Sequence, residues 1–222
     1  GDSESVTVPE KVNGLPVQVI QGAFAGNTTL QTVNLPETLL EISYGADGVG
    51  AFEGCSSLKR IVIPEGVRSI REKTFCECTA LQEIRLPDGL KEIGSDAFSG
   101  CRSLRQITVP VGVKCIETAV FQSCRALQEV HLPEGLEQIG MFAFEDCDTL
   151  TRIVLPASLK RLCRGAFENC TSLLEAQLPD GLEELQDDAF EYCRSLQKVT
   201  IPAQVRQIER AAFYYCQSLQ EV

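Results

Sequence analysis

Apolar residues return along this chain in short alternating runs, each closed by a proline. Ile61-Val62-Ile63-Pro64, Ile84-Arg85-Leu86-Pro87 and Ile107-Thr108-Val109-Pro110 are examples. A period of two over so few residues predicts a short strand with one face inward, and a proline, which lacks an N–H, ends its ladder. A second apolar pair follows each proline, as in Leu90-Lys91-Glu92-Ile93, and predicts a second short strand. An irregular turn anchored by Ala and Phe comes next, as at Ala97-Phe98. No segment sustains a 3.6-residue period over ten or more residues, so little α-helix is predicted.

These runs repeat at a fixed interval. Prolines stand at 9, 36, 64, 87, 110, 133, 156, 179 and 202, the last six intervals being 23 residues each. Phenylalanines keep step at 24, 52, 75, 98, 121, 144, 167, 190 and 213. Six residues later comes leucine, from Leu30 and Leu58 through to Leu219, then a branched aliphatic such as Ile61 or Ile153, with Ala176 the weak member. The unit reads L-x-x-I-x-L-P-x-G-L-x-x-I-x-x-x-A-F-x-x-C, unbroken in residues 81 to 101. Its glycine, at Gly66, Gly89, Gly112, Gly135 and Gly181, fits a turn of positive φ. So short a unit cannot bury its own apolar face. Successive units must therefore stack as a solenoid, like residue on like.

The unit resembles the leucine-rich repeat of the BspA-like, treponemal-type class, L-x-x-I-x-L-P-x-x-L-x-x-I-x-x-x-A-F-x-x-C. The resemblance runs over residues 6 to 222 in nine turns. It implies a mainly β, right-handed, horseshoe-like solenoid with irregular turns, and a short parallel sheet on its concave face. It further implies secreted or surface-displayed proteins, many from host-associated bacteria, some of them adhesins for host extracellular proteins or other microbes. One repeat domain over residues 1–222 is expected, as part of a longer protein.

Composition narrows the chemistry. Twenty basic against 31 acidic residues, a net charge of −11, argue against nucleic-acid or anionic-membrane partners. No apolar run approaches the ~18–20 residues of a spanning helix, and Gly1 to Glu10 show no signal-peptide pattern. A single histidine removes two-histidine metal sites and paired-histidine mechanisms.

Eight of the eleven cysteines fall three residues after the phenylalanine: Cys55, Cys78, Cys101, Cys124, Cys147, Cys170, Cys193 and Cys216. Asn27 takes the first place of that column. A small polar side chain inside a turn can satisfy backbone groups of its own or the next coil, which accounts for the interchange. Parallel stacked side chains do not supply a disulfide dihedral, so free, inert thiols are expected. Cys76, Cys115 and Cys163 stand outside the column with no role assigned, and no metal or cofactor is expected.

Two outward columns flank the inward position of the pre-proline strand. One carries Thr32, Arg60, Glu83, Gln106, Glu129, Arg152, Glu175 and Lys198, the other Asn34, Val62, Arg85, Thr108, His131, Val154, Gln177 and Thr200. These columns read either as a broad polar surface or as a protein-binding concavity centred on Arg85, Glu129, His131 and Arg152. Off-column aromatics Phe142, Tyr192, Tyr214 and Tyr215, with Tyr192 and Tyr215 stacked on adjacent coils, read either as a second candidate interface or as a cover for the end of the core or for a next repeat of a longer protein. The insertions near 13–16 and 43–50 read as a capping hairpin and a flexible loop, the glycines of the latter matching a phosphate loop in spacing alone. The expected function is that of a non-catalytic, adhesin-like module. It would be extracellular or at the cell surface, acting as a monomer and binding a protein or glycan such as host extracellular matrix. A spacer displaying another domain is the alternative, and a glycan-active enzyme using two carboxylates comes third.

Overall fold

The computed structural model describes residues 4–182 and 184–221; Gly1–Ser3, Glu183 and Val222 of the span read as repeats lie outside them. The described residues form no helix. Two strands per coil build two parallel faces, a front face of pre-proline strands and a rear face of post-proline strands. Each coil is named below by its column phenylalanine. The front strands Ser5–Thr7, Thr32–Asn34, Arg60–Val62 and Glu83–Arg85 form one sheet. Gln106–Thr108 pairs with Glu129–His131, and Glu175–Gln177 with Lys198–Thr200. The rear strands begin with Val19–Gln21, Glu41–Ser43, Ser69–Ile70 and Glu92–Ile93, and the pairing repeats in three- and two-stranded groups toward the C-terminal end.

Register follows the repeat. Ile61 faces Ile84, Ile107 faces Val130, and Ile116, Ile139 and Leu162 form one row. A slip of one residue would turn each row to solvent, so the inward apolar column locks the pairing. The interior is a pile of identical rows. Nine phenylalanine rings from Phe24 to Phe213 stack with centroids 5.0–5.8 Å apart and planes within 19°. At that spacing the rings are offset rather than eclipsed, which adds ~0.5–1.5 kcal/mol per pair beyond burial.

The post-proline glycine has a different reason from the one the pattern suggests. Gly66, Gly89, Gly112 and Gly181 do not adopt positive φ; of the five only Gly135 does, at 101°. Their constraint is the neighbouring coil. A Cβ on Gly66 would stand 2.6 Å from the Leu39 carbonyl oxygen, and one on Gly112 2.4 Å from that of Leu90. Where serine or threonine replaces the glycine, its hydroxyl uses the same proximity: Thr38 donates to Val17 O at 2.8 Å and Ser158 to Leu136 O at 2.6 Å.

Positive φ is found instead on both sides of the phenylalanine. Two residues before it stand Lys73, Asp96, Ala119, Phe142, Asp188 and Ala211, and two after it Glu77, Ser123, Asp146, Asn169, Tyr192 and Tyr215, all with φ of 55–59°. Gly22 and Gly165 fill the first column elsewhere, Gly26, Gly54 and Gly100 the second. Asn13-Gly14, with φ of 51° and 80°, turns the antiparallel hairpin of Lys11–Val12 and Leu15–Pro16. Two successive positive φ values suit a two-residue hairpin loop, and Asn-Gly is its preferred sequence. The insertion after Ser43 is a closed loop: Gly45 N donates to Val49 O at 2.9 Å, and Asp47 Oδ1 accepts from Val49 N at 3.2 Å.

Candidate functional site

The front strands stand their outward side chains in two parallel rows, because alternate residues leave a strand on the same face. In the first row Ser5 faces Thr32, Thr32 faces Arg60, Arg60 faces Glu83, and Gln106 faces Glu129. In the second row Thr7 faces Asn34, Val62 faces Arg85, and Thr108 faces His131. Ser5 and Thr7 extend both rows by one coil beyond the columns traced in the sequence. Val6-Thr7-Val8-Pro9 carries the signal that places them, a weak apolar alternation closed by the first proline of the series. They are joined to the array by Thr32 Oγ1 donating to Ser5 Oγ at 3.0 Å and Asn34 Nδ2 donating to Thr7 Oγ1 at 3.2 Å.

A groove of about 620 Å³ runs along this face, with Asn34, Arg60, Glu83, Arg85 and Gln106 on its walls. Smaller hollows continue it, one edged by Glu83, Gln106 and Glu129 and the other by Arg85, Thr108 and His131. Arg152 and Glu175 line a separate depression of about 530 Å³ with Lys198. The structure therefore gathers six of the eight front-face candidates into one run and sets Arg152 and Glu175 apart. The regular front strand lapses between these two groups, where Arg152 makes a single parallel bridge to Glu175.

Charges of opposite sign stand beside one another in register on the face. Arg60 lies opposite Glu83, and Glu175 opposite Lys198. Lys198 Nζ reaches Glu221 at 2.6 Å, and this contact lifts the lysine above its ordinary value and lowers the carboxylate. His131 Nε2 lies 3.2 Å from Glu129 Oε1, two residues back on its own strand. Val62 and Val154 are exposed apolar spots among these polar groups.

The Asn/Cys column runs along the Phe turns, three residues after each ring. Each thiol donates to the carbonyl of the phenylalanine one coil back: Cys55 to Phe24 O at 3.0 Å, Cys78 to Phe52 O at 3.1 Å, Cys101 to Phe75 O at 3.2 Å and Cys124 to Phe98 O at 3.2 Å. Cys147, Cys170, Cys193 and Cys216 continue the pattern to Phe121, Phe144, Phe167 and Phe190 at 3.1–3.3 Å. All eleven thiols are unpaired. Burial pushes the column upward in pKa, to about 11 at Cys55 and Cys216 and well above the ordinary range at Cys101 and Cys147. Asn27, in the first described coil, is half-buried and folds its Oδ1 back to accept from Thr29 N at 3.0 Å and Leu30 N at 2.9 Å.

Cys76, Cys115 and Cys163 are half-buried on the surface. Cys115 is pushed up to about 12 by desolvation and by Glu117. It borders a rear-face hollow of about 550 Å³ shared with Tyr44 of the inserted loop, Arg71 and Lys91. The repeat hides this hollow from the sequence, since Tyr44 belongs to no column. Among the described residues no three His, Cys, Asp or Glu side chains are arranged to hold a metal ion.

A parallel solenoid with one Pro-ended strand, one Phe turn and one Cys per coil is a leucine-rich repeat architecture. The chain belongs to the BspA type leucine rich repeat family, whose region matches in six copies over residues 3–110, 47–173 and 93–220. Among solved structures it is similar to a leucine-rich repeat protein of T. pallidum, at 28% identity and TM-score 0.51, over 99% of this chain and 79% of that one. A leucine rich cell surface protein of Faecalibacterium prausnitzii shares 23% identity and TM-score 0.54, over 100% and 87% of the two chains. A leucine-rich repeat protein of Eubacterium ventriosum shares 20% identity and TM-score 0.73, over 99% and 60%. No protein of curated function matches the chain.

Proposed function

We propose that this chain is an adhesin-like interaction module, secreted or displayed at a cell surface, whose front sheet binds a protein or glycan of a host or a neighbouring microbe. The groove over Arg60, Glu83, Arg85 and Gln106 carries this reading, because it is an open hollow spanning four coils of the front face, with charged and amide side chains among apolar ones. Membership of a repeat family that generally mediates interactions supports a non-catalytic role. The net charge of −11 favours protein or glycan over nucleic acid. No described helix is long and apolar enough to cross a membrane. A spacer that displays another domain is the second reading, favoured by the Lys198–Glu221 ion pair and by the alternation of charge sign along the face, where Arg60 stands in register with Glu83.

Arrays of extracellular-matrix proteins and glycans, probed with the chain and with an Arg60→Ala/Arg85→Ala variant, separate the two. The module reading expects a ligand whose binding falls about tenfold or more in the variant, as loss of arginine anchors does. Binding to nothing on the array, or binding that the variant leaves unchanged, overturns the assignment to this groove.

A further inference from the structure

We propose that the turn edge around Tyr192, Tyr214 and Tyr215 is a second docking surface, one that takes an arginine-bearing basic segment of a partner protein. It lies on the Phe turns and does not rest on the front-face reading. Tyr192 and Tyr215 stack with centroids 5.2 Å apart, and Tyr214 meets Tyr215 edge-on at 4.6 Å and Tyr192 at 6.0 Å. Tyr214 is 51% exposed and Tyr215 47%. Two of these rings stand where the backbone is left-handed, φ 58° at Tyr192 and 57° at Tyr215. Glycine fills the same place in the Phe24, Phe52 and Phe98 coils. Bulky side chains are disfavoured there, so the fold itself gives no reason for tyrosine at either position.

The neighbouring charges name the partner. One residue after the phenylalanine, successive coils carry Glu145, Glu168, Glu191 and then Tyr214. Phe rings of those coils repeat every 5.2–5.8 Å, so the carboxylates rise toward the tyrosines at that interval. Glu145 is held by Gln122 Nε2 at 2.5 Å. Among the described residues no cation comes within salt-bridge distance of Glu168 or Glu191, the nearby Arg164 being committed to Asp188 at 2.9 Å. Stacked carboxylates with only Arg164 and Arg210 nearby, neither in ion-pair contact with Glu168 or Glu191, repel one another, and an arriving cation relieves that repulsion. Guanidinium suits both halves of the surface, since it pairs with carboxylates through two N–H groups and stacks flat on a phenol ring. Lysine offers the charge without the planar fork, and a neutral sugar would use the rings while leaving the carboxylates unpaired.

Fluorescence anisotropy with a labelled octa-arginine peptide tests this against octa-lysine and a neutral oligosaccharide. Octa-arginine is expected to bind at moderate salt, several-fold more tightly than octa-lysine. The Tyr192→Gly/Tyr215→Gly variant, which leaves the net charge as it is, should weaken it about tenfold through lost ring stacking. Glycine suits the left-handed backbone, so an undiminished melting temperature confirms that this variant folds. A Glu168→Gln/Glu191→Gln variant provides a second reading and should also bind more weakly. Equal binding of both peptides, octa-arginine binding that ignores the tyrosines, or binding of the neutral oligosaccharide in place of the peptides overturns the proposal.

Discussion

The thiol of Cys124 donates to the carbonyl oxygen of Phe98, one coil back, at 3.2 Å, while the same oxygen accepts the Cys101 backbone N–H at 3.1 Å. Both lone pairs of a buried carbonyl are thus used, one within the coil and one between coils. Unfilled, such an acceptor costs about 1–3 kcal/mol. The cysteine column is therefore the polar seam of an otherwise apolar stack.

That seam predicts a pattern of thiol reactivity. In the native protein, alkylation at pH 8 should be confined to Cys76, Cys115 and Cys163, with slow reaction at half-buried Cys216. The seven fully buried column thiols should stay protected because burial excludes the reagent; a raised pKa slows all eleven thiols, Cys76 and Cys115 themselves being pushed up to about 11 and about 12. In denaturant all eleven should titrate. Substantially fewer would mean disulfides, and the donor role of the column would fall with them.

Phenylalanines inside the stack have a ring on each side, those at its ends only one. Phe121→Ala should destabilise by about 3–5 kcal/mol, since it empties a fully buried site between Phe98 and Phe144. Phe24→Ala, at a half-buried end, should lose less than half as much. Urea unfolding monitored by circular dichroism measures both, and similar losses at the two positions would contradict a stack in which each ring depends on two neighbours.

The two left-handed columns predict an inversion of the usual glycine rule. Ala119, with φ 55°, sits where Gly22 and Gly165 stand in other coils, whereas buried Ala97 has no such constraint. Ala119→Gly should be stabilising by about 0.5 kcal/mol, relief of left-handed strain exceeding the entropy and methyl lost. Ala97→Gly should be destabilising by about 1 kcal/mol. Melting temperatures that move in the same direction for the two variants would refute the backbone assignment.

The coil was legible in the sequence because stacking makes every column a repeated measurement of the same environment. Phe, Leu and Cys each recur in step, and Phe190 or Leu196 lands in the core as Phe75 and Leu81 do. What period alone does not show is why a residue recurs. The glycine of Gly66 and Gly112 looks like a φ requirement and is a contact requirement, since both reasons exclude a Cβ. The positive-φ columns escaped notice because Lys73, Asp96, Phe142 and Tyr192 share no chemistry, only a turn that the surrounding coil imposes. The candidate site was half legible: alternation put Arg60, Glu83 and Arg85 on one face. The break that separates Arg152 from them arises in strand pairing, which no column records.

The acidic turn edge predicts a pH dependence whose sign is fixed by one residue. Glu168 is pushed up to about 7, first by burial and then by Glu145, Glu191 and Asp188, with Arg164 opposing. Glu191 is raised too, by burial and Asp188. In the unfolded chain a glutamate titrates near ~4.3. The folded state therefore holds this proton more tightly than the unfolded one, and linkage makes its contribution to stability fully present below about pH 4. That contribution is lost as the pH rises toward and through about 7, where both states are ionised. Glu168 is partly solvated, so the swing is on the order of 1 kcal/mol after screening rather than the full shift. Glu168→Gln carries no proton to lose. Relative to the native chain it should gain stability between pH 5 and 8, the gain growing with pH and levelling above about 7. Urea midpoints of the two proteins across that range measure the difference directly, and a difference that does not vary with pH would show that Glu168 ionises as freely in the coil as in the unfolded chain.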